Sequence, residues 1–174
     1  MRRNTLWQLL SLLMVAAFIL AACQPVAEPT EAVTEPEVVA TQETVGGFQI
    51  PETVEGKFNV AMVLIGPHDD GGWSQAHYEG LVYVEQNVPN VHVAYIENVP
   101  EGTDSEQVFR SLSRKGFDLI FGTSFGFMDP MEIVAGEFPN TTYIHISGYK
   151  SNMTNFGNLF GAMESMKYLA GMIA

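Results

Sequence analysis

The chain has 174 residues, 8 Lys and Arg against 20 Asp and Glu, and a single cysteine. That length holds one small domain and little more, which excludes a large multidomain enzyme. One cysteine excludes a disulfide framework and a cysteine-based zinc site. A formal charge of −12 argues against nucleic acid as a partner, since neutralising phosphates takes clustered Lys and Arg.

The first segment reads as a targeting signal. Arg2 and Arg3 form a short basic region, and residues 6–22 carry no charge. An apolar run that short, closing on small residues, fits a signal-peptide core better than a retained membrane span. It ends at Leu20-Ala21-Ala22-Cys23, which resembles the lipobox of bacterial lipoproteins. Small residues there admit the signal peptidase, and the Cys23 thiol takes the lipid. Residues 1–22 are therefore expected to leave, and Cys23 to anchor the mature chain through palmitate-type acyl groups on the extracytoplasmic face of the cell membrane.

Residues 24–56 change in composition, with seven Glu, no basic residue, and Pro25, Pro29, Pro36 and Pro51. Without helical or alternating periodicity, residues 23–56 are expected to be the lipidated cysteine followed by a solvated tether. As a coil it would reach roughly 30 Å.

Residues 57–174 read as alternating strands and helices. The nearly continuous apolar run 58–65 suits a parallel strand covered on both faces. Helical spacing follows over 73–88, and a second strand over 91–96. Asp104 and Gln107 resemble a capping pair, opening a helix that closes at Lys115-Gly116. A short strand over 118–121 comes next. Asp129-Pro130-Met131-Glu132 has the pattern of a helix start, with a cap, Pro at the first position and Glu at the third. A fourth strand is expected over 141–146 and a last helix over 160–174. The order βαβαβαβ implies an α/β fold with a doubly wound parallel sheet.

In such sheets ligands sit beyond the carboxyl ends of the strands. The loops expected there, 66–72, 97–103, 122–128 and 147–151, hold Asp69, Asp70, Trp73, Thr123, Ser124, Phe125, Phe127, Asp129, Ser147 and Tyr149. The opposite loops are bland. Aromatic faces with hydroxyls and a carboxylate suit a flat, neutral, hydrogen-bonding ligand such as a nucleobase. The net negative domain favours an uncharged nucleoside over a nucleotide.

Three patterns point elsewhere and are weaker. Gly122-Thr123-Ser124-Phe125-Gly126 matches the G-x-S-x-G nucleophile elbow of serine hydrolases, yet the obvious helix start lies five residues after the serine and only His145 follows. The glycine-rich loop 66–72 lacks the Lys-Ser/Thr of a P-loop. His68, Asp69, Asp70 and His77 have no paired metal-ligand spacing and read as a solvated loop with a helix cap. No catalytic residue, metal or cofactor is expected.

The folded part resembles the basic membrane protein family of substrate-binding lipoproteins for ABC importers, a group that includes purine nucleoside receptors. The resemblance rests on Asp70-Gly71-Gly72-Trp73-Ser74-Gln75-Ala76-His77, Glu97-Asn98-Val99-Pro100-Glu101-Gly102, Thr123-Ser124-Phe125-Gly126-Phe127-Met128-Asp129-Pro130 and Tyr168-Leu169-Ala170-Gly171-Met172. It implies two α/β lobes of the type I periplasmic-binding-protein kind that close on a small-molecule ligand and deliver it to a permease and ATPase. This chain would supply the N-terminal lobe and half of the cleft, ending in the helix that crosses to the second lobe. It also implies that Asp70 binds the ligand and that Trp73 stacks on it. Ser74 stands where many members have Asn, and Ser124 and Phe125 fall in the second ligand loop. After Phe160-Gly161 the chain departs from the family pattern at Ala162, Glu164 and Ser165. The pairing of Trp73 with His77 favours a purine base or related heterocycle. The competing expectation is an extracytoplasmic sensor or interaction lipoprotein built on the same lobe, without transport.

Overall fold

The computed structural model describes residues 43–174; the expected leader, Cys23 and the first part of the tether lie outside the described residues. Two short antiparallel strands come first, β1 (Thr44–Val45) and β2 (Phe48–Gln49). A five-stranded sheet follows in the chain order β3 (Phe58–Val63), α1 (Trp73–Asn87), β4 (Val91–Ile96), α2 (Thr103–Lys115), β5 (Leu119–Gly122), α3 (Met128–Glu137), β6 (Thr142–Ile146), β7 (Phe156–Leu159) and α4 (Met163–Ile173). All its pairings are parallel, in the order β4-β3-β5-β6-β7. The chain winds outward from β3 to β4, then crosses to the other side of β3 to add β5. The topological switch therefore lies between β3 and β5, where such sheets open a crevice.

Period-two alternation along β3 builds two cores at once. Val60, Met62 and Leu64 pack with Leu81 of α1, whereas Ala61 and Val63 join Val108, Phe109 and Leu112 of α2 and Met131 and Val134 of α3. A strand covered on both faces is apolar at successive positions, which is why the run reads as nearly continuous, Asn59 excepted.

Helix ends follow local chemistry, with two departures from expectation. α2 opens at Thr103 behind Gly102 and has no side-chain cap, so Asp104 contributes its charge to the first turn rather than a capping bond. It closes at Gly116, whose φ of 89° is the left-handed conformation that glycine adopts without strain. A 3₁₀ turn at Phe125–Phe127 leads directly into α3, which begins at Met128 rather than after Asp129. Pro130 remains compatible, because amides of the first turn need no intrahelical acceptor.

The boundary at residue 57 also moves. The β1–β2 hairpin rests against the main core through Val45 and Phe48, and Ile50 is fully buried in it. Residues 43–56 are thus part of the folded body, and the tether reading fails for them. Short apolar islands among Glu and Pro carry too little periodicity to register.

β7 is a further departure, since no strand was expected between 146 and 160. Phe156-Gly157-Asn158-Leu159 has no β-branched residue. The loop before it supplies the order instead. Asn152 Oδ1 accepts from the amides of Thr154, Asn155 and Phe156, and Asn155 Nδ2 donates to the carbonyls of Ala135, Phe138 and Thr141. α4 buries none of its residues and leaves Met166, Leu169 and Met172 exposed. Among the described residues no helix is long and apolar enough to cross a membrane.

Candidate functional site

The carboxyl ends of the strands carry the chemistry that the loops foreshadow, divided over three places. The first is the start of α1. Asp70 lies just before the helix, where its Oδ1 accepts from the amides of Gly72 and Gln75 at 2.8 and 3.1 Å and its Oδ2 from that of Ser74 at 3.0 Å. The Gln75 and Ser74 amides, more than that of Gly72, lower its carboxyl to about 2. The aspartate thereby serves the first-turn amides that the chain would otherwise leave unpaired. A carboxylate offers about four acceptor sites, so roughly one remains for a ligand.

Ser74 belongs to the scaffold. It is fully buried, and its Oγ accepts from the Gly66 amide at 3.3 Å, stitching the β3–α1 loop to the helix. Its side chain has no exposed surface in this structure.

Trp73 is 41% exposed. Its indole N–H donates to the carbonyl of Thr123, spanning the switch point from α1 to the loop after β5. The indole lies against His77 with ring centroids 4.5 Å apart. His77 Nδ1 is 2.6 Å from the Trp73 carbonyl, an atom that only accepts, so Nδ1 carries the proton and Nε2 is the free ring nitrogen.

These two rings wall the second feature, a cavity of about 550 Å³ between the start of α1 and the ends of β6 and β7. Its other walls include Ile146, Ser147, Leu159, Phe160 and Met163. The volume lies within the range of small-molecule sites, and the lining is mostly apolar with few polar groups. Of the residues singled out from the sequence, only Trp73, His77 and Ser147 line it. Phe160 and Leu159 were missed as a wall, because their placement depends on β7.

The third place is the loop after β5. Ser124 Oγ donates to Glu101 Oε1, which also accepts from the Gly126 amide at 2.9 Å. Phe125 is 58% exposed and Tyr149 73% exposed, with ring centroids 6.4 Å apart. Asp129 forms an ion pair with Lys150 at 2.9 Å, and Lys150 also reaches Glu132 at 2.6 Å. The pair spends the Asp129 charge on holding the 147–151 loop to α3.

The hydrolase pattern does not assemble. The Ser124 hydroxyl is bonded to a carboxylate, while His145 Nε2 meets the main-chain oxygen of Ser124 rather than its Oγ. The Ser–His arrangement of that pattern requires the imidazole at the hydroxyl. Glu101 had no assigned role, although its stretch was among those carrying the resemblance.

His68 stands apart from the cavity. Its amide and its Nδ1 both lie 2.8 Å from Glu97 Oε2. The amide first, then the ring, hold the Glu97 carboxyl below its ordinary value. The imidazole meets Tyr78 and Tyr95 edge-on or tilted, tying the β3–α1 loop to the edge strand β4.

Comparisons with known proteins agree with the fold. A purine-binding protein of Brucella abortus is 38% identical over 136 residues, covering 75% of this chain and 38% of the relative. A protein of Haloferax volcanii, whose name assigns it to ABC transport as a glucose-binding protein, is 38% identical over 126 residues, covering 72% of this chain and 31% of its own length. The chain thus spans about a third of the length of these curated relatives. A solved ABC transporter solute-binding protein from Conexibacter woesei shares the fold with a TM-score of 0.58 at 22% identity, over 67% of this chain and 39% of that one. Residues 57–174 match the family described as PnrA-like ABC transporter substrate-binding proteins, and the chain belongs to that family.

Proposed function

We propose that this chain is the ligand-gripping lobe of an extracytoplasmic substrate-binding protein that captures an uncharged purine, as base or nucleoside, and hands it to the permease and ATPase of an ABC importer. The observation that carries the reading is the Trp73–His77 wall of the cavity, in a chain 38% identical to a protein named for purine binding. An indole face stacks on a base, and the free Nε2 of His77 accepts from a ring or amino N–H. Asp69, Asp70, Glu97 and Glu101 in the surrounding loops disfavour a phosphate. The lobe binds and does not catalyse, and a lipid on Cys23 holds it to the membrane.

Glucose is the second reading, favoured by the name of the Haloferax relative. Sugars also stack on indole, so the wall alone does not choose. Uptake of labelled adenosine, guanine and glucose, by cells with and without the gene, separates the two. Loss of purine uptake alone supports the proposal; loss of glucose uptake alone overturns it. Cys23→Ser is expected to move the protein from the membrane fraction to the soluble extracytoplasmic fraction.

A further inference from the structure

His145 occupies a position that strand alternation assigns to the core. Along β6, Tyr143 and His145 are buried while Thr142 is exposed. An apolar side chain would fill such a site without cost, whereas a fully buried imidazole needs hydrogen bonds to offset its desolvation. It has one. Nε2 lies 2.6 Å from the carbonyl oxygen of Ser124, which also takes the local 3₁₀ bond from the Phe127 amide at 3.0 Å. A carbonyl only accepts, so Nε2 carries the proton and Nδ1 is bare. Nδ1 is the buried side-chain polar atom without a partner among the described residues.

The bare edge of the ring is covered by Gly148. A Cβ added there would fall 2.0 Å from Nδ1 and 2.6 Å from Cε1, so any other residue forces the ring or the loop to shift. The imidazole therefore sits between Ser124 and Gly148. The residues that follow those two, Phe125 and Tyr149, carry exposed rings whose centroids lie 6.4 Å apart at a tilt of 45°. Burial keeps the ring neutral by lowering its basicity, against the backbone of Ser124 and Phe125 and the charge of Asp129.

We infer that His145 is a positioning residue, whose buried neutral ring fixes the Ser124–Phe125 loop by donation and the Gly148–Tyr149 loop by contact, so that one side chain sets both aromatic faces of the binding edge. The inference rests on the proposed function for its consequence, namely that those faces meet a ligand.

The test uses the full-length natural protein with His145→Phe, which keeps a ring and removes the donor, and His145→Gln, which restores an N–H. In His145→Phe, amide hydrogen exchange at Gly126 and Phe127 is expected to accelerate about tenfold, with the β3 and β5 amides unchanged. Affinity for the purine that the wild type binds best is expected to fall about tenfold by calorimetry, and Gln to recover most of both losses. If His145→Phe does not fold, Gly148→Ala drives a methyl into the same ring edge and is expected to loosen the same amides. Nitrogen NMR of the wild type is expected to report a proton on Nε2 and none on Nδ1. Unchanged exchange at Gly126 and Phe127, or equal acceleration across β3 and β5, overturns the inference. A wild type that binds no purine refutes the proposed function instead, and the exchange comparison still decides the role of His145.

Discussion

Replacing Trp73 separates two tasks that one side chain performs. Its indole face lines the cavity, and its N–H reaches the Thr123 carbonyl across the switch point. Alanine removes both. Loss of base stacking is worth about 1–3 kcal/mol, which corresponds to about 5- to 150-fold weaker purine binding. Phenylalanine keeps an aromatic face and loses the donor. A hydrogen bond of that kind contributes about 0.5–1.5 kcal/mol, and here it holds α1 to the β5–α3 loop. Trp73→Phe is therefore expected to bind only a few-fold more weakly than wild type and to show a modest loss in urea stability. Isothermal titration calorimetry with adenosine and guanosine measures the first effect and equilibrium unfolding the second. Unchanged affinity in Trp73→Ala would refute the stacking wall. Phe as damaging as Ala would place the weight on the hydrogen bond instead.

Other perturbations follow from the same geometry. Asp70 has a folded pKa of about 2 against an ordinary 3.8, so its contribution to stability is complete above about pH 4 and is lost as pH falls through 2. Asp70→Asn is expected to flatten that part of the acid profile, measured as melting temperature between pH 5 and pH 2. Adding a methyl at Gly122 places a Cβ 2.2 Å from Met131 Sδ and 3.1 Å from Phe109 Cζ. Gly122→Ala is accordingly expected to lower unfolding free energy by about 1–3 kcal/mol in urea titration. Ser124→Ala breaks the bond to Glu101 and leaves no missing chemistry, so wild type and variant are both expected to be inert toward p-nitrophenyl esters. Ester turnover that disappears in Ser124→Ala would restore the hydrolase reading.

The central sheet was legible because its rule is simple. Residues 58–65 are apolar except for Asn59, and a strand buried on both faces asks for such a run. The loops at the carboxyl ends were legible for the same reason, since topology fixes which ends face the crevice. β7 was not, because its order comes from Asn152 and Asn155 capping a turn, not from the strand's own residues. The cavity wall at Leu159 and Phe160 was hidden along with it.

Individual side chains were less legible than their neighbourhood. Trp73 lines the cavity. Asp70, Ser74 and Asp129 have side-chain oxygens that the fold also uses, on helix amides, on the Gly66 amide and on Lys150. A sequence displays the polar groups near a site but not which of them the fold also bonds. His145 is the converse case: its residue type stands out only once β6 alternation places it inside.

The most direct measurement is a fluorescence titration of Trp73 in the full-length natural protein, with any other tryptophan of the mature chain replaced by phenylalanine. Purine bases, purine nucleosides and glucose are added in turn. Saturable quenching by a purine and none by glucose is the predicted result, because a stacked base perturbs the indole face directly. Saturable binding of glucose with no response to any purine would contradict the account and give the cavity to a sugar.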